Sequence, residues 1–232
     1  EKRQRMKLRL ITFTFLLAAS GLSALAQTIS KEELTFLTSE WKGERFADGR
    51  PKIPDSLVNR AKNIGIEEAW TVLRNEGYNN QFERNWKMVH DDVKVVGRVL
   101  TAQFMPSRPD VEKKIKERGK QQGRKGNTNS WPIDMLTKGD VYVADCFGKI
   151  AQGTLIGDNL GNSIFAKSGN GVIFDGAARD LQGLREIKGF NAFDRDFHRS
   201  FLEGVVLMGL NTPIRIGNAI VLPGDLVISE RE

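Results

Sequence analysis

Cysteine and histidine are almost absent from this chain. One cysteine, Cys146, stands among 232 residues, so no intramolecular disulfide and no thiolate metal cluster can form within one chain. Two histidines, His90 and His198, are too few for a histidine-rich zinc site. Any metal here is expected on oxygen ligands, which points to Mg2+ or Mn2+. Hydrophobic residues make up 40%, enough for a packed core and too few for a chain of several membrane spans. The positive charge is also less than it looks. Residues 1–26 hold five of the 35 cations and one of the 29 anions, so without them the formal charge falls from +6 to +2. A near-neutral chain gives little reason to expect a nucleic-acid partner.

Those first residues read as a secretory leader. Lys7 and Arg9 precede an apolar or small run from Leu10 to Leu25, and Ala24-Leu25-Ala26 is a small-x-small cleavage signal. The run is short for a membrane anchor, which needs about 20 residues. The expectation is a signal peptide over 1–26, a mature start at Gln27, a periplasmic or secreted location and no membrane attachment afterwards. Glu1 to Arg5 precede the first methionine.

From Ser30 to Trp41 a helix is expected, with Ser30 and Glu33 as a capping box and Leu34 and Leu37 on one face. Residues 27–53 thus form a helix and a polar, glycine-containing linker (42–52). Two more helices, 55–63 and 66–75, each precede a glycine. Trp70 and Leu73 are spaced as a core stripe. The run Val93 to Phe104 is β-branched and apolar, a strand with Gly97 as a bulge or close approach and Pro106 at its end. The cation-rich stretch 110–129 lacks interleaved aromatics, so it is expected as a solvated insert rather than a phosphate site. A helical turn at 132–136 leads to a strand, Val141 to Asp145. A hairpin is expected over 214–222, turning at Gly217-Asn218, and Pro223-Gly224-Asp225 feeds a last strand.

The stretch from Gly157 to Asp180 concentrates the chemistry. A turn, Gly157-Asp158-Asn159-Leu160, opens a helix whose first amides suit an anion. A buried strand through Val172 to Asp175 then ends in Arg179-Asp180. The guanidinium suits a carboxylate or a polarised carbonyl, and the neighbouring carboxylate suits a hard divalent cation. Asp180 also precedes a helical stretch and could cap it, as Asp158 could cap the helix starting near Leu160. Cys146 reads as a small apolar residue at a strand end, and His198 as a candidate proton-transfer group. The glycines 148, 153, 157 and 161 do not make a phosphate loop, since Ile150 follows Gly148-Lys149.

Val96-Gly97-Arg98 with Thr101, Gly139-Asp140-Val141, Gly157-Asp158-Asn159-Leu160, Arg179-Asp180, Pro213 and Pro223-Gly224-Asp225 together resemble the RraA-like family. It holds the regulators of ribonuclease activity A and class II aldolases acting on 4-hydroxy-4-methyl-2-oxoglutarate. The resemblance spans about 54–229 and implies an α/β/β sandwich of the swivelling-domain type, here with a helical N-terminal segment, assembled as trimers or hexamers. It also implies roles. The backbone of Gly157, Asp158, Asn159 and Leu160 would hold a pyruvyl carboxylate, and Arg179 the keto-acid end. Asp180 would ligate Mg2+ or Mn2+, and Asp158 would sit near a metal-bound water. The sequence departs from the pattern in the insert 110–129, at Asp145-Cys146-Phe147-Gly148, and at Glu232, where the family continues into another strand and helix. The domain 54–232 is therefore expected to be short at its C-terminal end.

Two functions are open at this point. One is a metal-dependent lyase on a pyruvyl-containing 4-hydroxy-2-oxo acid, with oxaloacetate decarboxylation through the same enolate. A Schiff base on Lys149, Lys167 or Lys188 is the less favoured route, because none sits in an apolar setting. The other is a non-catalytic binding protein of the ribonuclease-regulator type. An exported chain would not meet a cytoplasmic ribonuclease, which favours the enzyme or a different binding role.

Overall fold

A run that is apolar on both faces belongs in the middle of a sheet, and the longest strand lies there. The computed structural model describes residues 27–231; the expected leader lies outside them. Three short helices come first: α1 (Lys31–Leu37), α2 (Asp55–Ala61) and α3 (Ile66–Asn75). They lead through β1 (Lys87–Met88) to β2 (Val95–Pro106). Then follow α4 (Pro109–Gln121), a 3-10 turn at Thr128–Ser130, α5 (Trp131–Met135), β3 (Asp140–Asp145) and β4 (Thr154–Ile156). The second half holds α6 (Asp158–Ser168), β5 (Val172–Ala178), α7 (Leu181–Arg185), β6 (Ala192–Phe197) and β7 (Val205–Leu210). A hairpin, β8 (Ile214–Ile216) and β9 (Ala219–Val221), and the strand β10 (Leu226–Ser229) close the chain.

Eight strands form one mixed sheet in the order β1-β6-β5-β3-β2-β10, with β4 beside β5 and β7 beside β2. The pairs β2–β3, β3–β5, β4–β5 and β5–β6 are parallel. β2 is long enough to pair with β10 along its first half and β7 along its second, both antiparallel. Alternation sends its side chains to two layers. Leu100, Ala102 and Phe104 join Tyr142, Phe174, Ile164 and Leu184 under the helices, whereas Val95 and Val99 join Val143, Ile173 and Phe193 under the β8–β9 hairpin. The result is the expected α/β/β sandwich. Gly97 is a close approach, since a methyl there would overlap the Gly139 carbonyl oxygen.

The N-terminal helices start where their capping residues predict. Ser30 Oγ accepts from Glu33 N at 3.1 Å, and Leu34 is buried while Leu37 stays outside. The Trp70–Leu73 stripe departs from expectation: α3 buries no residue, and Trp70 is 39% exposed. The helix leans on β10, a four-residue edge strand too small to cover it. Between α1 and α2 the polar stretch is held down by ions. Arg50 reaches Asp48 at 2.9 Å and the buried Asp140 at 3.2 Å. Arg98 sits 3.5 Å from Asp140 and 2.7 Å from Asp55. Among the described residues no helix is long and apolar enough to cross a membrane.

Candidate functional site

The unit β4–α6–β5 folds the Gly157–Asp180 stretch back on itself. Ile156 and Ala178 are register partners in parallel strands, and Arg179 N donates to Ile156 O at 3.0 Å. Gly157 and the Arg179-Asp180 pair therefore meet outside the carboxyl ends of two parallel strands, where open α/β sheets form crevices. Their contact is close enough to exclude a side chain at position 157. A methyl there would strike the Asp180 carboxylate and lie 3.2 Å from Arg179 Nε.

Each candidate residue has a definite place. Gly157 is the N-cap of α6, and Asp158 is its first residue. Asp158 Oδ1 accepts from the Asn159 amide at 2.7 Å. The carboxylate complements the positive end of the helix dipole and takes up one of the amides expected to hold an incoming anion. Leu160 lines the same cavity. Asp180 occupies the N-cap position of α7 in the left-handed region, φ 57°, but its side chain caps nothing. It lies 3.4 Å from Arg179 Nε, and both side chains are a third or more exposed. The Arg179 guanidinium also lies over the Phe201 ring, 4.8 Å from its centroid.

Asp158 and Arg179 form a partition between two cavities. One, about 490 Å³, extends toward Lys116, Asn129, Thr154 and Phe201. The other, about 820 Å³, extends toward Asp180, Gln182, Glu186, His198 and Arg199. His198 Nδ1 accepts from Ser200 N at 3.2 Å and lies 2.9 Å from Ser200 Oγ. Lys149, Lys167 and Lys188 line neither cavity. Cys146 is fully buried, and burial pushes its thiol up to about 12, so it behaves as a small apolar residue. Sequence reasoning missed Phe201, Glu112 and Lys116. They reach the cleft from distant segments, and no local pattern marks them.

The family model RraA-like, Aldolase/RraA, matches residues 64–232. The chain belongs to the RraA-like family. Solved structures agree on the fold. Streptomyces coelicolor RraAS2, an unusual member of the RNase ES inhibitor RraA protein family, is 24% identical over 77% of this chain and 83% of its own, with a TM-score of 0.64. An uncharacterized protein from Pseudomonas syringae pv. tomato DC3000 is 19% identical over 77% and 76%, with a TM-score of 0.60. A structure described among novel cellulases from gut-associated microbes is 18% identical over 85% and 83%, with a TM-score of 0.66.

One expectation is corrected. A metal-dependent aldolase or oxo-acid lyase is not supported by what surrounds the cleft. Among the described residues, no group of three or more His, Cys, Asp or Glu converges where a metal could sit. Asp158 is turned to its neighbour's amide, and Asp180 faces the Arg179 cation that resemblance would have set on substrate.

Proposed function

We infer that the protein is a non-catalytic binding protein of the ribonuclease-regulator type, and that its cleft recognises a carboxylate on a small acid or on a partner's side chain. One observation carries this reading. Arg179 stands partly exposed between two cavities, stacked on an aromatic ring, while the nearby carboxylates are engaged locally. A guanidinium so placed suits recognition by a forked hydrogen bond. The stated role of RraAS2 points the same way, as an analogy of fold. Export through the expected leader would part the chain from cytoplasmic ribonucleases, so no ribonuclease is named as partner.

A hydrated Mg2+ or Mn2+ at Asp180 is compatible with binding alone, because such an ion takes one or two carboxylates and keeps its waters. Assembly as a trimer or hexamer is part of the same proposal, and light scattering measures it. The deciding experiment adds oxaloacetate or a 4-hydroxy-2-oxo acid with either metal and follows pyruvate. Release at the blank rate is expected, together with carboxylate binding that Arg179→Ala removes. Turnover above the blank that disappears in Arg179→Ala would make the chain a catalyst.

A further inference from the structure

Phe201 is an anomaly of the cleft. It is 73% exposed, so a large apolar ring is left in water. Yet the backbone presenting it is pinned on both sides. Thr154 Oγ1 donates to Ser200 O at 2.5 Å, and Gln152 N donates to Ser200 Oγ at 2.6 Å. Beyond the ring, Glu203 N donates to Gln152 O at 3.0 Å, Gln152 Nε2 to Glu203 Oε2 at 2.9 Å, and Ser107 N to Gly204 O at 2.8 Å. An exposed ring on a fixed backbone is ordered before anything binds, which lowers the entropy cost of binding.

The wall facing it is fixed as well. α4 was expected to be a solvated insert, but Ile115 is buried, and Glu112 and Lys116, 2.6 Å apart, line the smaller cavity. Glu112 is also bonded by Ser107 Oγ. Below them Asn129 Nδ2 donates to Leu155 O at 2.6 Å. Leu160 and Leu202 supply apolar surface in the same cavity, among polar groups that include Asn127, Thr128, Ser130 and Glu203. The cavity thus has a cation at one end, a ring against that cation, and a mixed polar and apolar wall beyond.

We propose that Phe201 and the α4 wall form a second subsite beside Arg179, which takes a flat apolar group carried by the bound acid. The ligand class is an aryl carboxylate, free or at the end of a partner's chain. Its carboxylate meets Arg179 and its ring lies against Phe201. Planar groups stack on aromatic rings in offset or edge-on geometry, and the cation on the same ring strengthens the site for an anion. This rests on the binding reading of the cleft.

Ligand-observed NMR titration of the full chain tests it, with acetate, 2-naphthoate and neutral 2-naphthamide as probes. Naphthoate is expected to bind about tenfold tighter than acetate, the size of one good aromatic contact. Phe201→Ala should remove that preference, Phe201→Tyr should keep it, and Arg179→Ala should weaken both acids. Thermal melts check that each variant is folded. Acetate and naphthoate binding alike, or a preference that survives Phe201→Ala, would overturn the subsite while leaving the carboxylate reading intact. Naphthamide binding as well as naphthoate, or no acid binding at all, would overturn both.

Discussion

Two arginine–aspartate constellations in this molecule use the same groups for opposite ends. Around Asp140, Arg50 and Arg98 are nearly excluded from water, and Asp140 is wholly so. Its Oδ2 also accepts from Thr137 N and Oγ1, each at 2.9 Å. Around Gly157, Arg179 and Asp180 are 33% and 44% exposed and 3.4 Å apart. Burial multiplies the consequence of losing a partner, because an unpaired buried charge cannot turn to water. Exposure makes the pair weak and exchangeable, which a binding site needs. The first set fastens residues 48–55 to the sheet; the second leaves a guanidinium available.

Breaking the buried set should cost most. Asp140→Ala removes the buried carboxylate that Arg50 and Arg98 share, leaving them Asp48 and Asp55, and should lower unfolding free energy by about 3 kcal/mol in a urea titration. A loss below about 1 kcal/mol would erase the contrast.

Next come the carboxyls buried without a cation. Asp194 has both oxygens in the core with no hydrogen-bond partner, and burial pushes it well above the usual carboxylate range. Burial likewise raises Asp225 from 3.8 to about 6, although Leu222 N donates to it at 2.8 Å. Both folded-state values are raised. Their contribution to stability is therefore present in full below the unfolded value and lost as pH rises through the folded one. For Asp225 the window runs from 3.8 to about 6; for Asp194 the loss continues to higher pH. Asp194→Val should raise stability by about 1–2 kcal/mol at pH 8 and by less at pH 4. Asp225→Asn should flatten the window up to pH 6. Stability that rises with pH across that window in the parent, and is unaltered in Asp225→Asn, would refute the assignment.

The cleft itself should be cheap to alter. Gly157→Ala keeps an ordinary extended backbone, φ −127°, and its methyl displaces the Asp180 carboxylate and crowds the Arg179 side chain. A stability change under about 1 kcal/mol is expected, with carboxylate binding lost; a collapse of the fold would place Gly157 among the structural contacts. Smallest of all, Arg179→Ala should shift stability by no more than about 0.5 kcal/mol. A larger shift in the melt would make the exposed pair structural after all.

Much of this architecture is legible residue by residue. Ser30 and Glu33 mark α1, and the glycines after 63 and 75 mark helix ends, because caps act within one turn. Val93 to Phe104 reads as a strand because it is β-branched and apolar, and the observed strand starts two residues later, at Val95. Gly157 and Arg179-Asp180 are legible as the two ends of one stretch, and the pairing of β4 with β5 is what brings them together. Other features were not. Trp70 and Leu73 have core spacing, yet nothing in α3 shows that its neighbour is a short edge strand. Asp194-Arg195-Asp196 looks like a polar strand end, whereas Asp194 points into the core and Arg195 bonds Asp175 at 2.5 Å on the other face. Lys116 looked like one of many surface cations until α4 was seen to wall a cavity.

What the sequence determined by itself was local. Periodicity, caps and turns act over a few residues, so they set the elements and their order, and the motifs set the family. Only the tertiary structure decided which carboxylates were engaged, which charges were buried, and which ring reached the cleft. Those depend on desolvation and on contacts between segments far apart in the chain. The same Asp beside an Arg can be a clamp or a binding group, and the depth of water around it makes the difference.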